Sequence, residues 1–292
     1  MLPSSFAYVA PTTVDEAVQA LAAGGGDAKV VAGGQSLLPM MKLRLAAPGT
    51  LVDINGIAGL DVLEEADGML RIGALVRHGD LERSALVRDR YPIIHDAARH
   101  IADPLIRNRG TFCGSIAHGD PAGDWATVAS ALNAELHAVG PDGPAVHSAR
   151  DFQTGMFETR LGLDQVLVEA RIPQPVAGQG SAYLKVERKV GDYAAAAVGV
   201  VVVLDGDTVT EAGIGLTNVG PLTIDAAAAA ASLVGRSIDD AAALEEAGRL
   251  AMEASDPPSD LRGPAEYKQD LVRVLTKRAL RTAGARARGE QA

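Results

Sequence analysis

The sequence predicts an α+β chain of two units, a larger one over residues 1–177 and a smaller one over 178–292. Three observations carry this reading. Short β-branched runs alternate with stretches of helical periodicity, so strands and helices are interleaved along the chain. Residues Ile172 to Ser181 gather Pro173, Pro175, Gly178 and Gly180, which interrupt both periodicities as a domain boundary does. With 292 residues, 47% of them hydrophobic, the chain can bury a core in each unit.

The elements follow in order. Val14 to Ala23 is an amphipathic helix, opened by Thr12 and Thr13 with Glu16 three residues after Thr13, and stopped by Gly24-Gly25-Gly26. Lys29-Val30-Val31-Ala32 is a compact strand that runs into the Gly33-Gly34 turn. Further strands are expected at Thr50–Ile54, Met69–Ala74, Glu135–Val139 and Val166–Ile172, with helices at Ile93–Ile101 and Trp125–Leu132. In the second unit, Ala194–Leu204 and Val209–Leu216 form paired strands turned at Asp205-Gly206-Asp207. Helices are expected at Ile224–Leu233, Asp239–Ala254 and Tyr267–Ala283, the first because its alanine run has high helix propensity.

Composition excludes several functions. A net charge of -10 and ten aromatic residues argue against a nucleic-acid surface, which needs a basic stripe and stacking platforms. A single cysteine, Cys113, forms no internal disulfide and cannot supply the four thiolates of an iron–sulfur cluster. The six histidines, at 78, 95, 100, 118, 137 and 147, show no ligand spacing, so no metal site is expected. The opening Met1 to Phe6 lacks the basic and apolar regions of a signal peptide, and the apolar run Ala194–Leu204 is about half a membrane span. A cytoplasmic protein is expected, either free or associated with the inner face of the membrane.

Two glycine-rich segments carry the chemistry. In the first, Ala32-Gly33-Gly34-Gln35-Ser36-Leu37 follows a strand directly. Without Cβ atoms, its successive N–H groups can form a nest for an anion, and Ser36 adds a hydroxyl; an ordinary β-turn is the alternative. The pattern is neither a Rossmann G-x-G-x-x-G nor a P-loop. In the second, Ile106 to Asp124, Thr111 and Ser115 can bond a pyrophosphate, and Asp124 either accepts from sugar-like hydroxyls or caps the helix that follows. On its residues alone Lys185 reads as a solvated strand-edge residue rather than a cofactor contact, and Trp125 as core rather than a cofactor platform. Arg107 and Arg109 are either surface charges or supports for the second segment.

The motifs extend beyond these loops. Phe6-Ala7-Tyr8 to Ala17 fits F-x-Y-x-x-P-x-T-x-x-E-A, Ala32 to Arg44 fits A-G-G-x-S-L-x-P-M-M-K-L-R, and Ile106 to Thr111 reads I-R-N-R-G-T. In order and pattern the sequence resembles the FAD-binding medium subunit of the molybdenum hydroxylase family, typified by xanthine dehydrogenase and carbon monoxide dehydrogenase, and especially the latter. The tail Asp260 to Lys268 resembles the family's closing segment, so the likeness covers nearly the whole chain.

That resemblance implies a two-lobed FAD-binding domain of the vanillyl-alcohol-oxidase-like (PCMH) type over 1–177, with its lobes divided near residue 57, followed by a smaller α+β domain. It implies that Val30, Val31, Ala32, Gly33, Gly34, Gln35, Ser36 and Leu37 wrap the pyrophosphate. Thr111, Gly114 and Ser115 would form the second FAD loop, with Asp124 on the sugar-like chain. Leu167 would pack near the flavin, Lys185 would approach its ring, and Tyr193 would lie at its exposed face. The implied assembly is a heterotrimer, paired as a dimer of heterotrimers. Its large subunit carries molybdopterin and its small subunit two [2Fe–2S] clusters, and FAD passes electrons to an acceptor such as a quinone or NAD. Two positions depart from the carbon monoxide dehydrogenase pattern: Gln35 stands where His is common, and Cys113 where the loop often reads Gly-Gly-Ser. The resemblance favours carbon monoxide dehydrogenase, with a xanthine, aldehyde or N-heterocycle dehydrogenase as the alternative. A further rival, a stand-alone oxidase on the same fold, needs its own substrate domain and acid–base pair, and the residues after 178 include no histidine.

Overall fold

A computed structural model of the chain describes residues 2–290. Its first lobe contains β1 (Ala7–Val9), α1 (Val14–Ala23), β2 (Ala28–Val31), α2 (Leu37–Lys42) and β3 (Thr50–Asp53), with the strands in one parallel sheet of order β1-β3-β2. Helix α1 spans the expected residues and buries Ala17, Val18 and Leu21. Its cap uses both threonines: Thr13 Oγ1 accepts from the Glu16 N–H at 3.2 Å, and Glu16 Oε2 accepts from the N–H and hydroxyl of Thr12 at 2.7 and 2.9 Å.

The second lobe begins with the hairpin β4 (Leu63–Ala66) and β5 (Met69–Gly73). A helical stretch follows: α3 (His78–Arg83), α4 (Ala85–Arg90), α5 (Pro92–His100), α6 (Pro104–Arg107), α7 (Phe112–His118) and α8 (Asp124–Ala131). Strands β6 (Glu135–Gly140), β7 (Gly143–Ser148) and β10 (Val166–Pro173) complete a five-stranded sheet of order β4-β5-β10-β6-β7, and β8 (Gln153–Gly155) pairs separately with β9 (Glu158–Thr159). Strand β4 reads Leu-Glu-Glu-Ala, whose composition gives no strand signal; its pairing with β5 decides its conformation.

The remaining residues form β11 (Gln179–Glu187), β12 (Ala194–Asp205), β13 (Thr208–Thr217), β14 (Ile224–Asp225), α9 (Ala227–Ala231), α10 (Ala241–Ala254) and α11 (Ala265–Ala287). The four strands make an antiparallel sheet in sequence order. The expected hairpin is present: Asp205 pairs with Thr208 across Gly206-Asp207, and Gly206 has φ +59°. The helix expected from Ile224 is shorter than its alanine content predicts. Leu216 pairs with Ile224, the Ala226 N–H donates to the Ile214 carbonyl, and helix begins only at Ala227, so sheet pairing overrides local propensity.

Strand β12 is buried on both faces, which is why it reads as an unbroken apolar run. Val198, Val200 and Val202 pack in one core with residues of α10 and α11. The opposite face belongs to α5 and α8, and glycines let α8 lie close: a Cβ on Gly215 would stand 2.8 Å from the Thr127 carbonyl oxygen, and one on Gly213 would stand 2.5 Å from that of Ala131. This close seating brings the start of α8 against Tyr183 and Lys185 of β11. Gly213→Ala is expected to lower stability by about 1–3 kcal/mol, because backbone must move to admit the methyl group. A urea denaturation midpoint unchanged from wild type would contradict it.

Candidate functional site

A cavity of about 810 Å³ lies between the first lobe, the helical stretch of the second and the β11 end of the third sheet. Val30, Ala32, Gly33, Gly34, Gln35, Ser36 and Leu37 line one wall, Thr111, Gly114, Ser115 and Asp124 another, and Lys185 and Tyr193 a third. Two expected residues are not brought to it. Val31 and Leu167 are absent from the lining, and Leu167 is 5% exposed in the core, packed with the other buried side chains of β10. Gln165, immediately before that strand, lines the cavity instead.

The two glycine segments face each other in contact. A Cβ on Gly33 would overlap the Arg109 carbonyl oxygen and Gly110, so only glycine permits this approach. Gly34 has φ +71°, and a Cβ there would meet Leu38 Cδ1 at 2.9 Å. Arg77 pins the junction by donating to the Arg109 carbonyl and to Asn55 Oδ1, both at 2.6 Å, while Asn55 donates to the Ala32 carbonyl at 2.8 Å. The backbone N–H groups of Gly33, Gly34, Gln35 and Ser36 donate to no acceptor among the described residues. Gln35 turns back on its own loop, donating from Nε2 to the Gly33 carbonyl at 3.2 Å.

In the second segment Thr111 caps α7, its Oγ1 accepting from the Gly114 N–H at 3.1 Å, and a Cβ on Gly114 would stand 2.5 Å from that oxygen. Cys113 points away from the cavity into the core, where burial pushes its thiol up to about 12. His78 backs Gly110 and accepts on Nδ1 from the buried Trp125 Nε1–H at 2.9 Å, so Trp125 is core, as its sequence context predicts. Burial, then the charges of Arg107 and Arg77, lower His78 to about 3. Arg107 is a support: it donates to the carbonyls of Ile101 and Ala102 and pairs with Glu82.

Asp124 and Lys185 form a buried pair. Gly123, not Asp124, is the N-cap of α8. Asp124 Oδ2 accepts from Lys185 Nζ at 3.1 Å and Oδ1 accepts from the Tyr183 hydroxyl at 2.6 Å. The Lys185 side chain is 1% exposed and also donates to the His100 carbonyl, which overturns its reading as a solvated edge residue. Tyr183 OH lies 3.1 Å from Thr217 Oγ1, which in turn donates to Thr127. Burial pushes the Asp124 carboxyl up against the opposing pull of Lys185, and burial and Asp124 push the Tyr183 phenol well up.

Tyr193 sits at the rim on a loop held from two sides. Gly191, with φ +82°, packs on Ala102, and Arg262 donates to the Tyr193 carbonyl and to Asp192 while standing 5.8 Å from the Tyr193 ring centre. Partial burial and nearby Asp120 push the Tyr193 phenol up to about 12. Sequence reading missed Arg77, Asn55, His78, His118, Asp120 and Tyr183. His118 and Asp120 lie inside the second glycine-rich segment without having been singled out, and only convergence in space marks the other four.

The shape and donors fit a long, anionic, ring-bearing cofactor. Unpaired N–H groups on a turn that a Cβ would fill suit a pyrophosphate, and the space of about 810 Å³ with a buried ammonium on its wall suits a sugar chain and ring. The fold and site thus define a dinucleotide-binding protein of non-Rossmann type. Residues 4–175 match the family described as FAD binding domain in molybdopterin dehydrogenase, and residues 181–283 match CO dehydrogenase flavoprotein C-terminal domain. The carbon monoxide dehydrogenase medium chain of Hydrogenophaga pseudoflava is 42% identical over 98% of this chain and 99% of its own length. Subunit alpha of the 6-hydroxypseudooxynicotine dehydrogenase complex of Paenarthrobacter nicotinovorans is 36% identical, over 99% and 97%. A solved Hydrogenophaga pseudoflava carbon monoxide dehydrogenase lacking the Mo-pyranopterin moiety contains a chain that superposes with TM-score 0.95 at 44% identity, covering 98% of this chain and 99% of that one. The chain belongs to the FAD-binding medium subunits of the molybdenum hydroxylases. Its fold is α+β, an FAD-binding domain followed by the flavoprotein C-terminal domain. Among the described residues no helix is long and apolar enough to cross a membrane.

Two outcomes follow from the buried groups. Because His78 is lowered in the folded chain from 6.5 to about 3, the unfolded chain takes up a proton that the folded one refuses. Stability present above pH 6.5 is therefore lost as pH falls toward 3, by about 2 kcal/mol between pH 7 and pH 5. Urea titrations of wild type and His78→Gln at both pH values should show the variant losing less by that amount; parallel losses would remove His78 as the cause. Cys113 should resist maleimide in the native protein and label fully in urea, and rapid native labelling would show that the thiol is not where the structure puts it.

Proposed function

We propose that this chain is the FAD-carrying, electron-transferring subunit of a heterotrimeric molybdenum hydroxylase. The observation that carries this is the pair of glycine turns in backbone contact, the first with free N–H groups, both lining the cavity that Lys185 also lines. The FAD-binding unit is assigned to residues 1–177, with lobes divided near 57, and the C-terminal unit to 178–292.

In this reading the N–H groups from Gly33 to Ser36 and the hydroxyls of Ser36, Thr111 and Ser115 hold the pyrophosphate, and Gly114 allows its close approach. Asp124 is kept in place by Tyr183 and Lys185, and each of its oxygens retains a lone pair for a sugar-like hydroxyl. Lys185 presents a desolvated positive charge toward the ring, and Tyr193 covers the rim. Bound FAD supplies a group that exchanges electrons singly or in pairs. The chain itself binds, orients and excludes water.

The partners are a large molybdopterin subunit and a small subunit with two [2Fe–2S] clusters, in a cytoplasmic dimer of heterotrimers that reduces a quinone or NAD. Carbon monoxide is the favoured substrate, since the carbon monoxide dehydrogenase medium chain is the more similar of the two relatives. The dehydrogenase of a nicotine derivative supports an N-heterocycle as the second choice.

In the assembled complex, Gly34→Val should abolish flavin retention, because a β-branched residue resists φ +71° and meets Leu38, whereas Gln35→Ala should retain it. Flavin-to-protein ratios after gel filtration decide, and full occupancy in Gly34→Val removes the first turn from the site. The substrate test is anaerobic: carbon monoxide should bleach the flavin only when all three chains are present. Turnover of an organic substrate by this chain alone would establish the stand-alone oxidase instead.

A further inference from the structure

The buried pair has a neighbour for which the proposed binding role has no use. Glu187, two residues after Lys185 on β11, has a side chain 11% exposed and does not line the cavity. Its Oε2 is buried without a hydrogen-bond partner and lies 3.6 Å from Lys185 Nζ; its Oε1 lies 3.5 Å from His100 Nδ1. His100 ends α5 with its side chain 38% exposed. A continuous file thus runs from the cavity through Lys185 and Glu187 to His100 and solvent.

The charges in this file do not balance. Asp124 and Glu187 share one ammonium, which stands 3.1 Å from Asp124, 3.6 Å from Glu187, and gives a further hydrogen to the His100 carbonyl. The Tyr183 hydroxyl is spent on Asp124. The groups facing one another here are therefore Tyr183, Lys185 and Glu187 from β11, Asp124 from α8 and His100 from α5. With the imidazole neutral they sum to one negative charge, and Glu187 is the carboxylate left short of donors. A carboxylate in this position gains affinity for a proton when further negative charge arrives nearby.

We propose that Glu187 is a redox-linked proton site, loaded from solvent through His100 when electrons enter the cavity. This rests on the reading of the chain as an FAD carrier. Electrons stay on the group in the cavity and none passes to Glu187. The neutral His100 imidazole takes a proton from solvent to become imidazolium, and its N–H bond toward Glu187 then breaks as the Glu187 O–H bond forms, which returns the ring to neutral. The net uptake comes from solvent, and the site discharges by the reverse route on reoxidation.

The test uses the intact flavin-loaded complex, reduced electrochemically through methyl viologen in weakly buffered solution with a pH indicator. Flavin absorbance and proton uptake are followed together for wild type, Glu187→Gln and Glu187→Asp. The expected result is that Glu187→Gln takes up fewer protons than wild type, by at least about one half proton per two electrons, while Glu187→Asp stays near the wild-type value. Equal uptake in wild type and Glu187→Gln, both fully loaded with flavin, overturns the proposal. So does loss of flavin from Glu187→Gln, which would make Glu187 a support of the cavity wall. A wild-type complex that purifies without flavin, before any reduction, overturns the functional reading itself, a distinct result.

Discussion

The backbone contact between Gly33 and the Arg109–Gly110 peptide constrains everything built around it. Any side chain at Gly33 would displace the Arg109 carbonyl, and with it the first lobe from the second. Arg77 spans this junction, bonded to Arg109 on one side and through Asn55 to Ala32 on the other, so both turns are fixed by the same guanidinium. A five-donor planar group suits that task better than an ammonium would, because its geometry fixes two acceptors at once. The result is a turn held open with its N–H groups unpaired, a concavity suited to an anion.

The second constraint is electrostatic. Lys185 is almost wholly desolvated, and a buried ammonium persists only when its partners are held in good geometry. Here those partners come from three elements: Asp124 at the start of α8, the His100 carbonyl at the end of α5, and Glu187 on the lysine's own strand. The glycines of β13 that let α8 approach the sheet are thus part of the electrostatics, since they set the distance between Asp124 and Lys185. Arg286 reinforces the arrangement by bridging α11 to Asp96 of α5 and to the Ser181 carbonyl of β11.

How much of this could be read from the sequence depended on where each signal resided. Helix α1 was legible because its cap, apolar stripe and glycine stop are all local. The two turns were legible because glycine clusters state a backbone requirement, and the long motif from Ala32 to Arg44 made the family recognisable. Strand β4 and the late start of α9 were not, since pairing with β5 and β13 determines them. Leu167 was placed at the cavity by resemblance, yet on β10 it lies in the core while Gln165 faces the opening.

Lys185 shows most clearly what periodicity conceals. A lysine on a strand is ordinarily a solvated residue, and Glu187 two positions on, its one partner near in sequence, does not by itself announce burial. Its partner Asp124 is 61 residues away, and His100 is 85 away on a third element. Such a pair has no one-dimensional signature: the sequence carries each residue, while their pairing is a property of how closely α8 can lie on the sheet. That closeness is written in Gly213 and Gly215, which read locally as poor strand residues. Their weakness as strand formers and their value as spacers are the same property, the missing Cβ. A residue that costs the strand a little stability thereby fixes where a buried charge stands, and through it the field that any group in the cavity experiences.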